Sequence, residues 1–169
     1  MGLGRGNIVI GNDNMIIIKA PNEFEQYITK KPMVFLAGSI EMGAAENWQQ
    51  RVERMLLGVD VVVLNPRRDN WDSSWEQSID NPQFKEQVTW ELRAMDSADM
   101  IAMNFCADTK SPITLLELGL HTRAGNLIVH CPEGFWRKGN VDIVCWWYGV
   151  ERAESINDLV EKTIKRLGE

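Results

Sequence analysis

Short, continuously apolar runs alternate along this chain with stretches of helical periodicity. The apolar runs are residues 33–37, 60–64, 100–105 and 127–131, and the helical stretches are residues 44–57, 84–95, 112–124 and 155–167. Strands that lack polar alternation are buried on both faces, which is typical of a parallel sheet covered by helices. The pattern therefore predicts an α/β fold, doubly wound and flavodoxin- or Rossmann-like, with a mostly parallel sheet and helices on both faces. Ligands of such folds bind at the carboxyl ends of the strands, near a topological switch point.

Three further segments are less regular. Residues 7–20 predict an N-terminal β-hairpin of two short strands, so we expect a hairpin extension at 1–30 and one main domain at 31–169. Residues 67–82 form a polar loop, and loops of this length inside a compact domain are usually functional or mobile. Residues 133–147 fit neither a helix nor a strand clearly.

Charge and composition exclude several classes of protein. The chain has 169 residues, 18 of them basic and 24 acidic, for a net charge of −6. Because no basic stripe is present to neutralise phosphates, a nucleic-acid polymer is not expected as a partner. Three cysteines without a CxxC pair and two histidines predict neither a disulfide scaffold nor a metal site. No apolar stretch has membrane-spanning length, so we expect a soluble, cytoplasmic protein without a membrane partner.

Glu117 is a lone carboxylate within an apolar run. Ser111 and Pro112 predict the N-cap and first residue of a helix, which puts Glu117 in its second turn. Burying an ionised side chain on an apolar helix face costs roughly several kcal/mol unless partners compensate. Glu117 is therefore either paired with Arg93 or Arg123, or poised for chemistry.

A second carboxylate, Glu91, falls on the preceding predicted helix. The expected inward face of that helix consists of Phe84, Val88, Leu92 and Met95. Glu91 lies seven positions after Phe84 and so points to the same side; the alternative is an edge residue with its carboxylate in solvent. Two carboxylates near a cleft suit the chemistry of glycosidic bonds, in which one of them attacks the anomeric carbon.

Gly38, Ser39 and Ile40 follow the first buried strand. Glycine at a strand end lets a ligand approach the backbone, and the next helix N-terminus offers free amides; a plain tight turn is the alternative. The loop is neither GxGxxG nor a P-loop, and we expect no cofactor.

Three tryptophans in or beside polar segments offer flat surfaces on which a base could stack. They are Trp48, Trp71 and Trp75, and the alternative for each is a position in the core. Trp71 and Trp75 lie in the long loop, which is the segment best placed to act as a lid.

Four stretches of the sequence carry a family resemblance, namely residues 34–40, 90–99, 111–119 and 139–141. In their order and spacing the chain resembles the nucleoside 2-deoxyribosyltransferases and their relatives, the 2'-deoxynucleoside 5'-phosphate N-hydrolases. The resemblance implies that Glu117 is the nucleophile of a covalent deoxyribosyl–enzyme intermediate, and that Glu91 stands where the family has an aspartate contacting the leaving base. Ser111 stands where the N-hydrolases have a serine near the 5'-phosphate and many transferases have an aspartate. Asn140 matches an asparagine that reaches the sugar 5'-hydroxyl across a subunit interface.

Two residues depart from the family pattern. Glu91 is longer than the aspartate it replaces, which changes how the base is held. Glu41 stands where the hydrolases have an arginine and would repel a 5'-phosphate, although Arg67 or Arg68 could supply the missing charge. The resemblance therefore favours a nucleoside over its 5'-monophosphate as the substrate.

The function implied by the resemblance is transfer of 2-deoxyribose between nucleobases in nucleotide salvage. The small-molecule partners are then a nucleoside or nucleotide and a free base. The alternatives are hydrolysis of the N-glycosidic bond of a nucleoside or its 5'-monophosphate, and a non-catalytic nucleotide sensor on the same fold. The relatives are dimers or larger, so we expect a homodimer or higher homo-oligomer, with residues 141–148 as interface or core.

Overall fold

One sheet runs through the described chain, with helices packed around it. The structure, a computed structural model, describes residues 9–10, 14–40 and 47–168. The strands are β1 (Val9–Ile10), β2 (Ile16–Lys19), β3 (Met33–Gly38), β4 (Val62–Asn65), β5 (Met100–Asn104), β6 (Leu127–His130) and β7 (Glu151–Ala153). The α-helices are α1 (Trp48–Met55), α2 (Pro82–Ser97), α3 (Pro112–His121), α4 (Lys138–Tyr148) and α5 (Ile156–Leu167), besides a short 3-10 helix at Glu25–Tyr27.

The order of the strands in the sheet is β1-β2-β4-β3-β5-β6-β7. Every neighbouring pair is parallel except β1 with β2. Helices α2, α3 and α4 bury Trp90, Leu118 and Cys145 on one face of the sheet, and α1 and α5 bury Val52 and Leu159 on the other. The predicted doubly wound α/β fold is confirmed. After β3 the chain continues to β4 on one side in the sheet, and after β5 it continues to β6 on the opposite side. The topological switch point therefore lies between β3 and β5.

The N-terminal hairpin is confirmed in the described residues, where Val9 lies opposite Ile17 in antiparallel register. Strand β2 also pairs in parallel with β4, and Ile18 and Phe24 are buried in the core. The sheet therefore continues from the hairpin into the rest of the molecule. The boundary between residues 1–30 and 31–169 stays a prediction.

Most predicted elements occur with small shifts at their ends. Strand β3 is buried along nearly its whole length, as its apolar run predicts. Helix α1 begins after Asn47, whose side chain accepts a hydrogen bond from the Gln50 amide; residues 44–46 of the predicted helix lie outside the described residues. The ambiguous stretch at 133–147 contains most of α4. Strand β7 was not predicted, because three residues with a charged pair carry no apolar run.

The predicted inward face of α2 is wrong for two residues. Val88 and Leu92 are exposed, whereas Gln87, Trp90 and Ala94 are buried. The buried positions follow the three-and-four spacing of a helix stripe, rotated from the predicted one. The apolar residues on the outer side of α2 misled the prediction. Within the described residues, no helix has both the length and the apolar character needed to cross a membrane.

Candidate active site

Gly38 closes β3 at the switch point, in tight contact with β5. Its φ is 149°, and a Cβ on this residue would overlap the carbonyl oxygen of Asn104 and lie 2.8 Å from Cζ2 of Trp48. Glycine is therefore required here for steric as well as conformational reasons. The next amide, of Ser39, donates a hydrogen bond to the Asn104 carbonyl (3.0 Å), which holds Ser39 beside the loop after β5.

Three buried hydroxyl groups meet at this point, and we call them the hydroxyl cluster. Ser39 Oγ lies 3.0 Å from Thr109 Oγ1 and 2.6 Å from Ser111 Oγ. Thr109 Oγ1 lies 2.7 Å from Ser111 Oγ and donates to the Cys106 carbonyl. The Cys106 amide in turn donates to Ser39 Oγ (3.0 Å). The cluster therefore joins the loops after β3 and β5 at the start of α3.

Ser111 occupies the N-cap position of α3, as predicted, but its hydroxyl does not cap the helix. Its backbone is left-handed, with φ 44° and ψ 51°, a conformation that is unfavourable for a residue with a Cβ. The hydroxyl instead belongs to the cluster with Ser39 and Thr109. The Ser-Pro start therefore predicted the beginning of α3 correctly, and the partners of the Ser111 hydroxyl lie in the neighbouring loops and not in the helix.

Glu117 on α3 and Glu91 on α2 form a carboxyl pair inside the fold. Glu117 is only 8 % exposed, and Glu91 is partly buried. Burial raises the pKa of Glu117 to about 8, with a further contribution from the charge of Glu91. Burial also raises the pKa of Glu91 to about 7, and the hydrogen bond from Gln87 opposes that rise. Because the pKa values of both carboxyl groups are raised, the pair holds a proton near neutral pH.

The predicted alternative for Glu117, a salt bridge to Arg93 or Arg123, does not occur among the described residues. Arg93 pairs with Glu25 (2.7 Å), and Arg123 lies over the ring of Tyr148 at 5.3 Å. Neither arginine is therefore the counter-ion of Glu117. A buried carboxyl without a compensating cation is the arrangement expected of a functional group rather than a structural one.

Gln87 connects the carboxyl pair to the loop after β4. Its Nε2 donates to Glu91 Oε1 (2.9 Å) and to the carbonyl of Pro66 (2.7 Å). The sequence analysis missed Gln87 and Thr109. The available signals were the four-residue spacing of Gln87 from Glu91 on one helix face and the proximity of Thr109 to Ser111 in the chain.

The two arginines after β4 have different surroundings. Arg68 pairs with Glu86 (2.9 Å) and lies 5.1 Å from the ring centre of Trp75. Arg67 is half-buried, and its Nε and Nη2 are fully buried without a hydrogen-bond partner among the described residues. Desolvation lowers the pKa of Arg67, and nearby Cys106 partly opposes this. Of the two, Arg67 is the one with unused hydrogen-bond donors.

The predicted tryptophans lie in two different settings. Trp48 is fully buried, and its Nε1 donates to the carbonyl of Ser39 (3.1 Å), so it supports the Gly38–Ser39 turn from inside the core and offers no face to a base. Trp71 packs against Trp75 at 5.1 Å and against Phe84 of α2 at 6.5 Å between ring centres. These contacts fix the long loop on α2.

Two other predicted residues lie at the margins of this site. Ile40 is partly buried and is the last described residue before position 47, and Glu41 lies outside the described residues. Asn140 is exposed in the first turn of α4. It shares the outer side of that helix with Ile143 and Trp147, at the three- and seven-residue spacing of one stripe. Gln87 thus links the carboxyl pair to the segment that carries Arg67. The hydroxyl cluster lies at the start of the helix that carries Glu117, and Asn140 is exposed on α4.

A cavity of about 550 Å³ lies at another part of the same sheet edge, between α4 and α5. Its cations are paired: Lys138 and Arg152 with Asp142, and Lys162 with Asp158. In the part of the chain that the structure describes, no group of three or more His, Cys, Asp or Glu side chains is placed to hold a metal ion.

Comparison with known proteins identifies a family and a similar fold. The family described as nucleoside 2-deoxyribosyltransferase like matches residues 31–135, which is more than half of the chain and includes both carboxylates. The chain belongs to this family. A crystal structure of a conserved protein from Enterococcus faecalis V583 is similar in fold, with a TM-score of 0.56 and 12 % identity over 80 % of this chain and 99 % of that one. No curated protein matches the chain.

Membership of the nucleoside 2-deoxyribosyltransferase-like family indicates an enzyme that acts on nucleosides or nucleotides. The matched segment begins before β3 and ends before α4. It therefore covers the hydroxyl cluster, Arg67 and the carboxyl pair, but not Asn140.

Proposed function

We propose that this protein transfers a 2-deoxyribosyl group between nucleobases, with Glu117 as the nucleophile. The observation that carries the proposal is the carboxyl pair. Glu117 and Glu91 come from adjacent helices, both have raised pKa values, and Glu117 has no counter-ion among the described residues. In a chain of this family, such a pair supplies one group to attack the sugar and one to handle the proton.

In the first step, an oxygen of ionised Glu117 forms a bond to C1' of the nucleoside. The N-glycosidic bond breaks, its electron pair leaves with the base, and protonated Glu91 gives its proton to the departing nitrogen. The transition state has oxocarbenium character. A 2-deoxy sugar reaches it more easily, because it lacks the electron-withdrawing 2'-oxygen.

In the second step, a nitrogen of an acceptor base bonds to C1' and the Glu117 carboxylate leaves. Glu91, now ionised, takes the proton that the acceptor loses. The pair thus begins and ends the cycle with one proton, and the raised pKa values of both groups support a shared proton. That proton must reside on Glu91 when Glu117 attacks, so that one group serves first as acid and then as base. Gln87 holds Glu91 in position throughout.

The test is base exchange between a 2'-deoxynucleoside and a free base, measured for wild type and Glu117→Gln. We expect the variant to lose roughly 10³-fold or more in kcat, since removing a nucleophile eliminates the covalent route. Wild type incubated with deoxynucleoside alone should gain the mass of one deoxyribosyl group, and Glu117→Gln should not. The matched control is Glu161→Gln, an exposed glutamate on α5. Base exchange by Glu117→Gln at the wild-type rate would refute the mechanism.

The products distinguish transfer from the two alternatives. New nucleoside that forms only when acceptor base is added identifies a transferase. Free deoxyribose formed at the same rate with or without acceptor identifies an N-glycosidic hydrolase that uses the same residues. Tight nucleotide binding with no turnover, unaffected by Glu117→Gln, identifies a sensor.

We also propose that the protein works as a homo-oligomer. The outer side of α3 exposes Ile113, Leu116 and Leu120, and the outer side of α4 exposes Ile143, Trp146 and Trp147. The ends of the two helices adjoin, because Arg123 after α3 stacks on Tyr148 of α4. Large apolar surfaces of this kind are rare on monomers. A second copy of the chain is the occupant we propose, since Asn140 lies on the same stripe and would face that copy.

We place this reaction in nucleotide salvage in the cytoplasm. Cys106, Cys131 and Cys145, all in the described part of the chain, form no disulfide, which is typical of a reducing compartment.

A further inference from the structure

The side-chain amide of Gln87 has one polar atom that no described residue satisfies. Gln87 is only 4 % exposed, and its Nε2 donates to the carbonyl of Pro66 (2.7 Å) and to Glu91 Oε1 (2.9 Å). Both hydrogens of that nitrogen are thereby used. Gln87 Oε1, in contrast, is fully buried and has no hydrogen-bond partner among the described residues. A buried carbonyl oxygen without a donor is costly, so the arrangement indicates a ligand that brings the donor.

The orientation of this amide is fixed by its neighbours. The carbonyl of Pro66 can only accept a hydrogen bond, so the nitrogen of the Gln87 amide must face it. The reversed amide would bring two carbonyl oxygens to 2.7 Å from each other. Glu91 Oε1 therefore accepts a hydrogen bond, and the proton of Glu91, when present, resides on Oε2. Together the two side chains offer a donor, Glu91 Oε2–H, and an acceptor, Gln87 Oε1.

The free oxygen of Gln87 lies beside the group that faces the base. In an amide the oxygen and the nitrogen are bonded to one carbon, at about 1.2 and 1.3 Å, and Gln87 Nε2 contacts Glu91 directly. Glu91 exchanges a proton with the base in the proposed reaction, so the edge of the base that reaches Glu91 also comes near Gln87 Oε1. Because this oxygen is covered in the free protein, the side chains over it must move when the base binds. The loop at 67–82 begins beside the Pro66 carbonyl and is the segment best placed to move.

We propose that Gln87 Oε1 accepts a hydrogen bond from an exocyclic amino group of the base, and that the site therefore prefers amino-bearing bases to their oxo counterparts. This inference rests on the proposed function, since it requires the base to be held at Glu91. An amino group projects beyond the ring and donates to the free oxygen of Gln87. An oxo group at the same place brings a second acceptor and leaves both oxygens buried without a donor. The preferred substrates are therefore 2'-deoxynucleosides of adenine or cytosine rather than those of hypoxanthine or uracil.

The experiment compares kcat/KM of deoxyadenosine with that of deoxyinosine, and of deoxycytidine with that of deoxyuridine, at a fixed concentration of one acceptor base. The proteins are wild type, Gln87→Met, which keeps the shape of the side chain without its polar atoms, and the control Gln83→Met, an exposed glutamine one turn earlier on α2. We expect wild type and Gln83→Met to favour the amino member of every pair that they turn over. Gln87→Met should lose roughly 10- to 100-fold of that preference, as expected for a buried hydrogen bond. Because the same ratio is compared between proteins, differences in the intrinsic reactivity of the nucleosides cancel, as does any general loss of rate from a less firmly held Glu91.

A binding measurement separates failure of this inference from failure of the proposed function. Calorimetry with Glu117→Gln measures the affinity for the same four deoxynucleosides without turnover, alone and combined with Gln87→Met. Affinity that favours the amino member and depends on Gln87 supports the inference even if no glycosidic bond is cleaved. Equal reaction and binding of amino and oxo members in the protein with Gln87 intact, a result that needs no Gln87 variant, overturns the inference. An amino preference that Gln87→Met leaves intact overturns it too, and either result leaves the proposed function standing.

Discussion

The chemistry available to Glu117 and Glu91 is determined by where their protons reside. Burial disfavours the charged form of each carboxyl, and the charge of Glu91 disfavours ionisation of Glu117 further. The two groups therefore titrate as one system, and the active form holds a single proton. Below the range in which the first proton leaves, no nucleophile is present, and above the range in which the second leaves, no acid remains. A bell-shaped dependence of rate on pH follows.

Replacement of Glu91 tests the acid directly. Glu91→Gln should lower kcat by roughly 10²- to 10⁴-fold and remove the alkaline limb of the pH profile, since no proton donor is left to be lost. The acidic limb should remain, since it reports ionisation of Glu117 beside a partner that is uncharged in both proteins. The measurement is kcat against pH, with Glu161→Gln as the control. An unchanged alkaline limb would assign the acid to another group.

The same pKa values make stability depend on pH. In the folded protein the pKa of Glu117 is raised to about 8, whereas in the unfolded chain it has its ordinary value near ~4.3. Between these values the folded state holds a proton that the unfolded state has lost, so stability is full at acid pH and falls as the pH rises through the folded pKa. Glu117→Gln cannot ionise. Urea unfolding should show the variant more stable than wild type by about 1–3 kcal/mol near pH 8 and nearly equal to it near pH 5. Equal pH slopes for the two proteins would contradict this.

At the scale of elements, the junction of β3 with β5 positions the loop that carries Ser39. Gly38 permits the close approach, Trp48 supports the Ser39 carbonyl from below, and the Ser39 amide bonds the Asn104 carbonyl. Each contact joins a different element to the end of β3. The turn is thereby held rigid where the substrate would lie.

Gly38→Ala should destabilise the protein by about 2–4 kcal/mol, since its Cβ overlaps the Asn104 carbonyl in a backbone conformation that favours glycine. The matched control is Gly119→Ala within α3, where a Cβ meets no atom within 4 Å. That change should instead stabilise by about 0.5–1 kcal/mol, because alanine favours a helix. Free energies of unfolding in urea measure both. A Gly38→Ala variant as stable as wild type would show that β3 and β5 are further apart at this point.

The long loop at 67–82 packs against helix α2. Arg68 pairs with Glu86, and Trp71 packs on Phe84, so the first part of the loop rests on the first turns of α2. This is the sequence-predicted loop with aromatic side chains, and its role as a lid stays a prediction. The backbone of Arg67 is held by Asn65, because Asn65 Oδ1 accepts a hydrogen bond from the Arg67 amide (2.9 Å).

At the scale of the whole molecule, the outer sides of α3 and α4 remain without a partner in the single chain. Trp147 is 71 % exposed and Leu116 is 60 % exposed, and both lie on the side away from the sheet. Within the stretch at 141–148, Val141 and Cys145 lie in the core and both tryptophans are exposed, so its role as an interface stays a proposal. Desolvating such a surface favours association.

Charge on this surface should separate the subunits. Trp147→Glu and Leu116→Glu should each convert the oligomer to a monomer, because an unpaired carboxylate would be buried in an apolar interface. Light scattering after size exclusion measures the mass. The control is Leu57→Glu, which alters a residue of similar exposure, 57 %, just after α1. A wild-type protein that is monomeric at micromolar concentration, or variants with unchanged mass, would contradict the proposed assembly.

Local patterns in the sequence were sufficient for most elements and for the inward direction of Glu117. The apolar run at 33–37 predicted the buried strand β3, and the Ser-Pro pair predicted the start of α3. The pattern failed on α2, where Val88 and Leu92 are apolar but exposed, because an apolar side chain does not reveal whether it faces the core or another surface. It also failed on β7, which has no apolar run and is a strand because it pairs with β6.

The sequence by itself determined the α/β class and the order of most elements, because burial along a strand or helix repeats with the period of that element. The family followed from the resemblance of four short stretches and not from this periodicity. Only the tertiary structure decided which side chains meet. Glu91 and Glu117 lie on different helices, Ser39 and Ser111 are 72 positions apart, and the free edge of Arg67 is recognised only once its neighbours are known. No local pattern records these distances, since they depend on how the helices and loops pack on the sheet.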